Sequence, residues 1–239
     1  MLEQLMENQL MEYLRLNKMN KLWIFSTLLI LSTTGWAFFT DKEMILPSKS
    51  NMDAETHDRV TEWTHNFEQE LSPLIRTHGG ELQLVIDWNS SRANAEARRQ
   101  DDKYLVIIYS GLLNHPELDR NMLHLILCHE VGHHLGGQPT ASRHGWSSAE
   151  GQADYYSTLE CIKELPLDNR ESLPQTFEKL AQFYAKVNVG SYPLPRLSLK
   201  DPTQVPRTYF GHPTPQCRLD TMLAGFNNEP RPVCWYKED

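Results

Sequence analysis

The sequence predicts an α+β fold, mainly helical, with a small β-sheet beside a buried helix. Two observations lead there. Apolar residues recur at three- and four-residue steps through most of the chain, while two short stretches instead alternate or run in β-branched and aromatic residues. Glycine or proline marks the joints between these segments. The 239 residues, 40% hydrophobic and 23% charged, suffice for one domain with a real core and exclude collagen-like, disordered and multi-span membrane classes. Lys and Arg number 23 against 31 Asp and Glu, a net charge of -8. Such a balance argues against a phosphate-binding surface, so nucleic acid is not an expected partner.

Taken in order, the chain begins with an export signal. Lys18 and Lys21 precede the apolar run Leu22–Phe25 and Leu28–Leu31, and Gly35 and Ala37 offer small residues to a signal peptidase. Residues 1–37 therefore read as the signal and 38–239 as the functional domain, with the cut between Ala37 and Phe38. The stretch before Lys18, bearing Glu3, Glu7 and Glu12, is long for a signal unless translation starts at Met19. The alternative is a retained membrane anchor, because residues 22–40 are uncharged, although Ser26, Ser32, Thr33, Thr34 and Gly35 dilute their hydropathy. Either way the remainder is exported, periplasmic or secreted. Cys128, Cys161, Cys217 and Cys234 then have the opportunity to pair, and Cys217 with Cys234 is the most local option. The other reading makes Cys128 and Cys161, each on an apparent helix, buried small hydrophobes.

Val60, Trp63, Phe67, Leu71, Leu74 and Ile75 define an amphipathic helix stopped by Gly79-Gly80. Leu82, Leu84 and Ile86 alternate with polar neighbours as a strand does, Asn89 to Asp102 reads as a polar connection, and Tyr104–Tyr109 reads as a more deeply buried strand. Its backbone edge is a candidate for pairing with an extended substrate. The next helix has Pro116 in its first turn, an apolar stripe at Leu118, Met122, Leu125 and Val131, and a stop at Gly136-Gly137. A helix capped by Ser147 or Ser148 follows through Tyr155, Leu159 and Ile162, then one over roughly Gln175 to Val187 and a last one after Pro215 carrying Arg218 to Leu223. Gly190 to Pro215 is a long proline-rich segment without apolar periodicity, and loops of that length are usually functional or disordered.

His129-Glu130-Val131-Gly132-His133 lies inside a strongly helical, apolar segment. On a helix, residues i and i+4 share a face one turn apart, so both imidazoles can present a nitrogen to one ion. Glu130 is offset from that line, near the metal but free to hold a water. Buried imidazoles would be costly without such a partner. A catalytic zinc wants a third protein ligand and one open position. Glu150 supplies it in Glu150-Gly151-Gln152-Ala153-Asp154, again an i, i+4 pair, which lets Asp154 reach a ligating histidine and fix its tautomer. Two alternatives stand beside this: Ser147 and Glu150 are spaced as a capping box, and Asp154 is a possible third ligand. Gly151 and Ala153 are small enough to let the two helices approach closely. His134, rotated about 100° from the ligand face, either packs or supports a ligand from behind and does not bind metal, and His144 is an exposed loop residue. Arg92, Arg98 and Arg99 form either a flap over the cleft or a solvated loop.

His-Glu-x-x-His followed by Glu-x-x-x-Asp resembles the gluzincin metallopeptidases, most closely the HtpX-like heat-shock proteases and CAAX prenyl endopeptidases. The Tyr104–Leu113 strand with its Gly-Leu-Leu turn, the short gap between the motifs, and His212-Pro213-Thr214-Pro215-Gln216-Cys217-Arg218 are similar to that group. The likeness covers roughly Tyr104 to Leu223, about half the chain, and lacks the group's membrane spans. It implies a zincin-type domain holding one Zn2+ on His129, His133 and Glu150, with Asp154 behind a histidine. It further implies a peptide or unfolded protein substrate, envelope protein quality control, and hydrolysis in which the ion polarises water. Glu130 would be the general base, with His212 and Arg218 stabilising negative charge. The competing expectations are a catalytically silent or latent zinc-binding chaperone module, with the proline-rich segment covering the cleft, and a structural domain without metal.

Overall fold

A sheet with one parallel and one antiparallel pair anchors the helices that carry the candidate site. The computed structural model describes residues 52–141, 145–167, 169–187 and 192–238. The export signal or anchor, Met19, His144 and the first two residues of the proline-rich segment lie outside the described residues. Helix α1 (Ala54–Thr77) starts where the Asp53 carboxylate accepts from the Thr56 amide at 2.7 Å. It buries Val60, Phe67, Leu71 and Ile75 and ends at Gly79, whose φ of 76° suits glycine. Strands β1 (Glu81–Asp87), β2 (Ala95–Gln100) and β3 (Lys103–Tyr109) follow.

The sheet order is β1-β3-β2, with β1 parallel and β2 antiparallel to β3. Two expectations change here. Asn89 to Asp102 is not merely a connection, because β2 lies within it. Nor is Tyr104–Tyr109 an edge: β3 is central, its backbone groups are committed on both sides, and β2 is the edge beside it. Arg98 and Arg99 are strand residues, neither a flap nor a loop. The Arg99 guanidinium lies 4.1 Å over the Tyr104 ring and donates to the His134 carbonyl oxygen at 3.0 Å.

After the short α2 (Ser110–Leu113), α3 (Arg120–Leu135) begins at Asp119, which accepts from the Met122 amide. Pro116 therefore precedes the helix, while Gly136 ends it as expected. Every residue from Met122 to His134 is buried, so α3 is a central helix enclosed on all sides rather than a surface helix with a stripe. Helix α4 (Glu150–Leu159) gives way to 3-10 turns at Cys161–Glu164 and Arg170–Ser172, so the expected helix through Ile162 stops early. Helices α5 (Leu173–Val187) and α6 (Pro215–Phe226) complete the set, α6 capped by Thr214. Phe67, Leu71, Val106, Ile108, Leu123, Leu127, Phe177 and Leu180 form one core between the sheet and the helices.

Two disulfides join Cys128 to Cys161 and Cys217 to Cys234. The first ties α3 to the turn after α4, and although both its cysteines are fully buried they are bonded, not simple hydrophobes. The second is the local pairing. Both fit an oxidising, exported compartment. Among the described residues no helix is long and apolar enough to cross a membrane.

Candidate metal centre

Helices α3 and α4 meet at Gly132, where a Cβ would lie 2.7 Å from the Ala153 carbonyl oxygen. Only glycine permits that approach. Ala153 is at the contact as expected, but Gly151 is not, since it faces the Trp235 ring. The close packing brings His129, His133 and Glu150 together: one donor atom from each lies within 4.8 Å of the other two, and all three residues are buried. Glu150 Oε2 is 3.2 Å from His129 Nε2, and Glu150 Oε1 is 3.6 Å from His133 Nε2. Ligand atoms ~2.0–2.1 Å from a four-coordinate ion stand about 3.3 Å apart, so the spacing suits a small divalent cation.

The rear of each imidazole is fixed. His129 Nδ1 donates to Asp154 Oδ1 at 2.8 Å, and His133 Nδ1 donates to the Ser148 carbonyl oxygen at 2.9 Å. Both contacts turn Nε2 towards the shared space, the arrangement metal-ligating histidines use. Ser148 thus serves through its carbonyl, Ser147 Oγ lies 3.3 Å from the same Nδ1, and Ala149 is the N-cap of α4. Neither serine caps the helix, and the Glu150 side chain faces the histidines instead of folding back on the backbone. Asp154 stands behind His129, with Arg218 donating to it through Nε and Nη2, each at 2.7 Å. Arg218, expected near the reacting carbonyl, is instead buried and clamped on that carboxylate, with its guanidinium 4.0 Å over the Tyr184 ring.

Electrostatics follow from this burial. Desolvation would lower the His129 imidazolium, but the Asp154 carboxylate overcomes it and holds the pKa up at about 9. His133, without a carboxylate behind it, is depressed by burial to about 4. Glu150 is driven up by burial yet held well below the carboxylate range by His212, His133 and His129. Glu130 is fully buried, and neither of its oxygens has a hydrogen-bond partner among the described residues. Burial, partly opposed by His129 and reinforced by Glu150 and by Glu96 of β2, pushes it up to about 8.

His212 approaches from the proline-rich segment, its Nε2 3.3 Å from Glu150 Oε2 and its side chain 21% exposed. It lies outside the three-donor group. His134 is a packing residue as expected: its ring stacks between Tyr104 and Trp146, and Nε2 donates to the Leu105 carbonyl oxygen at 3.1 Å. Three neighbours of the site escaped sequence reasoning. Glu96 lies on the missed strand, Ser148 carries a capping signature but acts through its backbone carbonyl, and Tyr184 sits in the ordinary apolar face of α5. No protein family, curated protein or solved structure matches this chain.

Proposed function

We propose that this chain is an exported zinc-dependent endopeptidase of the gluzincin kind, cleaving peptide or unfolded protein substrates in envelope protein quality control. One observation carries the reading: a buried carboxylate meets two rear-anchored imidazole nitrogens while a second carboxylate, Glu130, stands beside them without a hydrogen bond among the described residues. His129, His133 and Glu150 would hold the ion, and the donor set of two nitrogens and one oxygen is that of catalytic zinc. When bound, zinc supplies Lewis acidity that polarises water and a substrate carbonyl.

The remaining work falls to side chains. Glu130 takes a proton from the attacking water on a carboxylate oxygen and returns it to the amide nitrogen as the C–N bond breaks. Asp154 keeps the His129 proton on Nδ1, and Arg218 positions Asp154. That assignment replaces a direct role for Arg218 at the carbonyl. His212, partly exposed beside Glu150, is the donor for the developing oxyanion. Of the two edge strands, β2, whose Glu96 neighbours Glu130, is the one placed to pair with extended substrate.

A latent or silent zinc-binding module is the second reading. It is favoured by the closure of the site: His129, Glu130, His133 and Glu150 are each 2% exposed or less, and the Phe210 carbonyl oxygen accepts from the Glu150 amide. The retained Glu130 argues for turnover. Metal content and peptide hydrolysis of the wild type and Glu130→Gln decide between them. Zinc in both with cleavage only in the wild type supports the peptidase, whereas zinc in both with cleavage in neither supports the silent module.

A further inference from the structure

A cleft of about 950 Å³ lies beside the start of α4, the helix that carries Glu150. One wall is bonded to the start of α4, since the Pro139 carbonyl oxygen accepts from the Ala149 amide and the Phe210 carbonyl oxygen from the Glu150 amide. Phe210 is also two residues from His212. Arg207, Arg231 and Lys237 line this cleft, and among the described residues no carboxylate does. The cleft is thus locally basic although the chain as a whole has a net charge of -8. None of the three has an ion-pair partner among the described residues. Arg231 is held in place, with Nε donating to Gln152 Oε1 at 2.6 Å and its guanidinium 4.8 Å over the Tyr236 ring. Arg207 and Lys237 are exposed.

The platform beneath these cations is braced. The Val205 amide donates to the Val233 carbonyl oxygen, the Tyr209 amide to that of Trp235, and the Lys237 amide to Thr208 Oγ1. The Cys217–Cys234 disulfide fastens the same C-terminal strip to α6. Phe210 is 41% exposed at the wall, so apolar surface adjoins the charges. Cations with an apolar neighbour and no ion-pair partner among the described residues bind carboxylates, with Arg favouring planar, two-pronged contact.

We infer that this basic cleft selects substrate segments bearing carboxylates, either acidic side chains or a free C-terminus, and so sets the specificity of the proposed peptidase, on which the inference rests. The test measures binding on the full-length Glu130→Gln chain loaded with zinc, so that no cleavage is needed. Fluorescein-labelled decapeptides bearing several aspartates, several lysines or only neutral residues are compared by anisotropy, each with a free or amidated C-terminus. Carboxylate-bearing peptides should bind roughly tenfold tighter than neutral ones, with the preference shrinking as salt is added. R207E combined with K237E should abolish that preference; both side chains are exposed, and the salt dependence of the parent chain supplies a second readout. Preference surviving amidation assigns the site to acidic side chains, and preference lost on amidation assigns it to the terminal carboxylate. Equal affinity for acidic, neutral and basic peptides overturns the inference. Cleavage by the wild type is scored separately: cleavage without charge preference sinks this inference alone, and preference without cleavage sinks the peptidase reading alone.

Discussion

Asp154→Asn is the most informative single change at the centre, because the substitution keeps shape while removing one charge. Asp154 Oδ1 accepts from both His129 Nδ1 and Arg218 Nη2, and Oδ2 accepts from Arg218 Nε. An asparagine amide turned either way sets its NH2 against at least one donor. If oxygen stays on His129, NH2 meets Arg218 Nε; if it is flipped, NH2 meets both the imidazole N–H and the guanidinium. The gentler orientation still leaves the Arg218 charge, 3% exposed, facing a neutral group. Orphaning a buried charge costs about 3–5 kcal/mol of stability. Loss of the carboxylate behind a ligating histidine lowers metal affinity about 10–100-fold. Urea unfolding of the zinc-free chain measures the first effect, and competition with a chelator of known affinity measures the second. Adding Arg218→Met to Asp154→Asn should recover most of the stability but not the metal affinity. Zinc affinity within threefold of the wild type in Asp154→Asn would refute the reasoning.

Three further outcomes are expected. Replacing Cys128 and Cys161 together by Ala should cost about 4 kcal/mol in urea unfolding, from the 33-residue separation of the bonded pair, and an unchanged midpoint would contradict it. Burial depresses His124 to about 4 from 6.5, so as pH falls through 6.5 the unfolded chain takes up a proton that the folded chain resists. The His124 share of the loss between pH 6.5 and 4 should be about 3 kcal/mol, so His124→Leu should flatten the slope by that much relative to the wild type. Gly132→Ala places a methyl group against the Ala153 backbone, so the helices must separate; a cost of about 1–3 kcal/mol and weaker zinc binding should appear in unfolding and chelator competition.

The three-donor cluster was legible in sequence because helices are rigid rulers. A four-residue step places His129 with His133, and Glu150 with Asp154, whatever the tertiary setting, and apolar neighbours announced that α3 is buried. Elements with a regular apolar period, such as α1, β1, β3 and α5, were legible for the same reason. Strand β2 was not. Arg98, Arg99 and Gln100 are exposed on it, and its buried part consists of the small Ala95 and Ala97 around Glu96, so no hydrophobic alternation marks it. Ser147 and Ser148 carried a capping signature that tertiary structure overrode, since the Ser148 carbonyl oxygen is needed at His133 and the helix starts after Ala149. Likewise Gly151 and Gly132 are indistinguishable as small residues; only the crossing of α3 and α4 decides which one forms the contact. Arg218 was recognisable as a site residue but not by its target, because its direction depends on how α6 lies against α4.

X-ray absorption at the zinc edge on the purified chain tests the central claim most directly. One zinc per chain should appear, with two imidazole nitrogens and carboxylate oxygen at ~2.0–2.1 Å, and the imidazole scattering should be halved or the metal lost in His133→Ala. A sulfur-rich shell, zinc well below one per chain, or a spectrum unchanged by His133→Ala and Glu150→Ala would contradict the account.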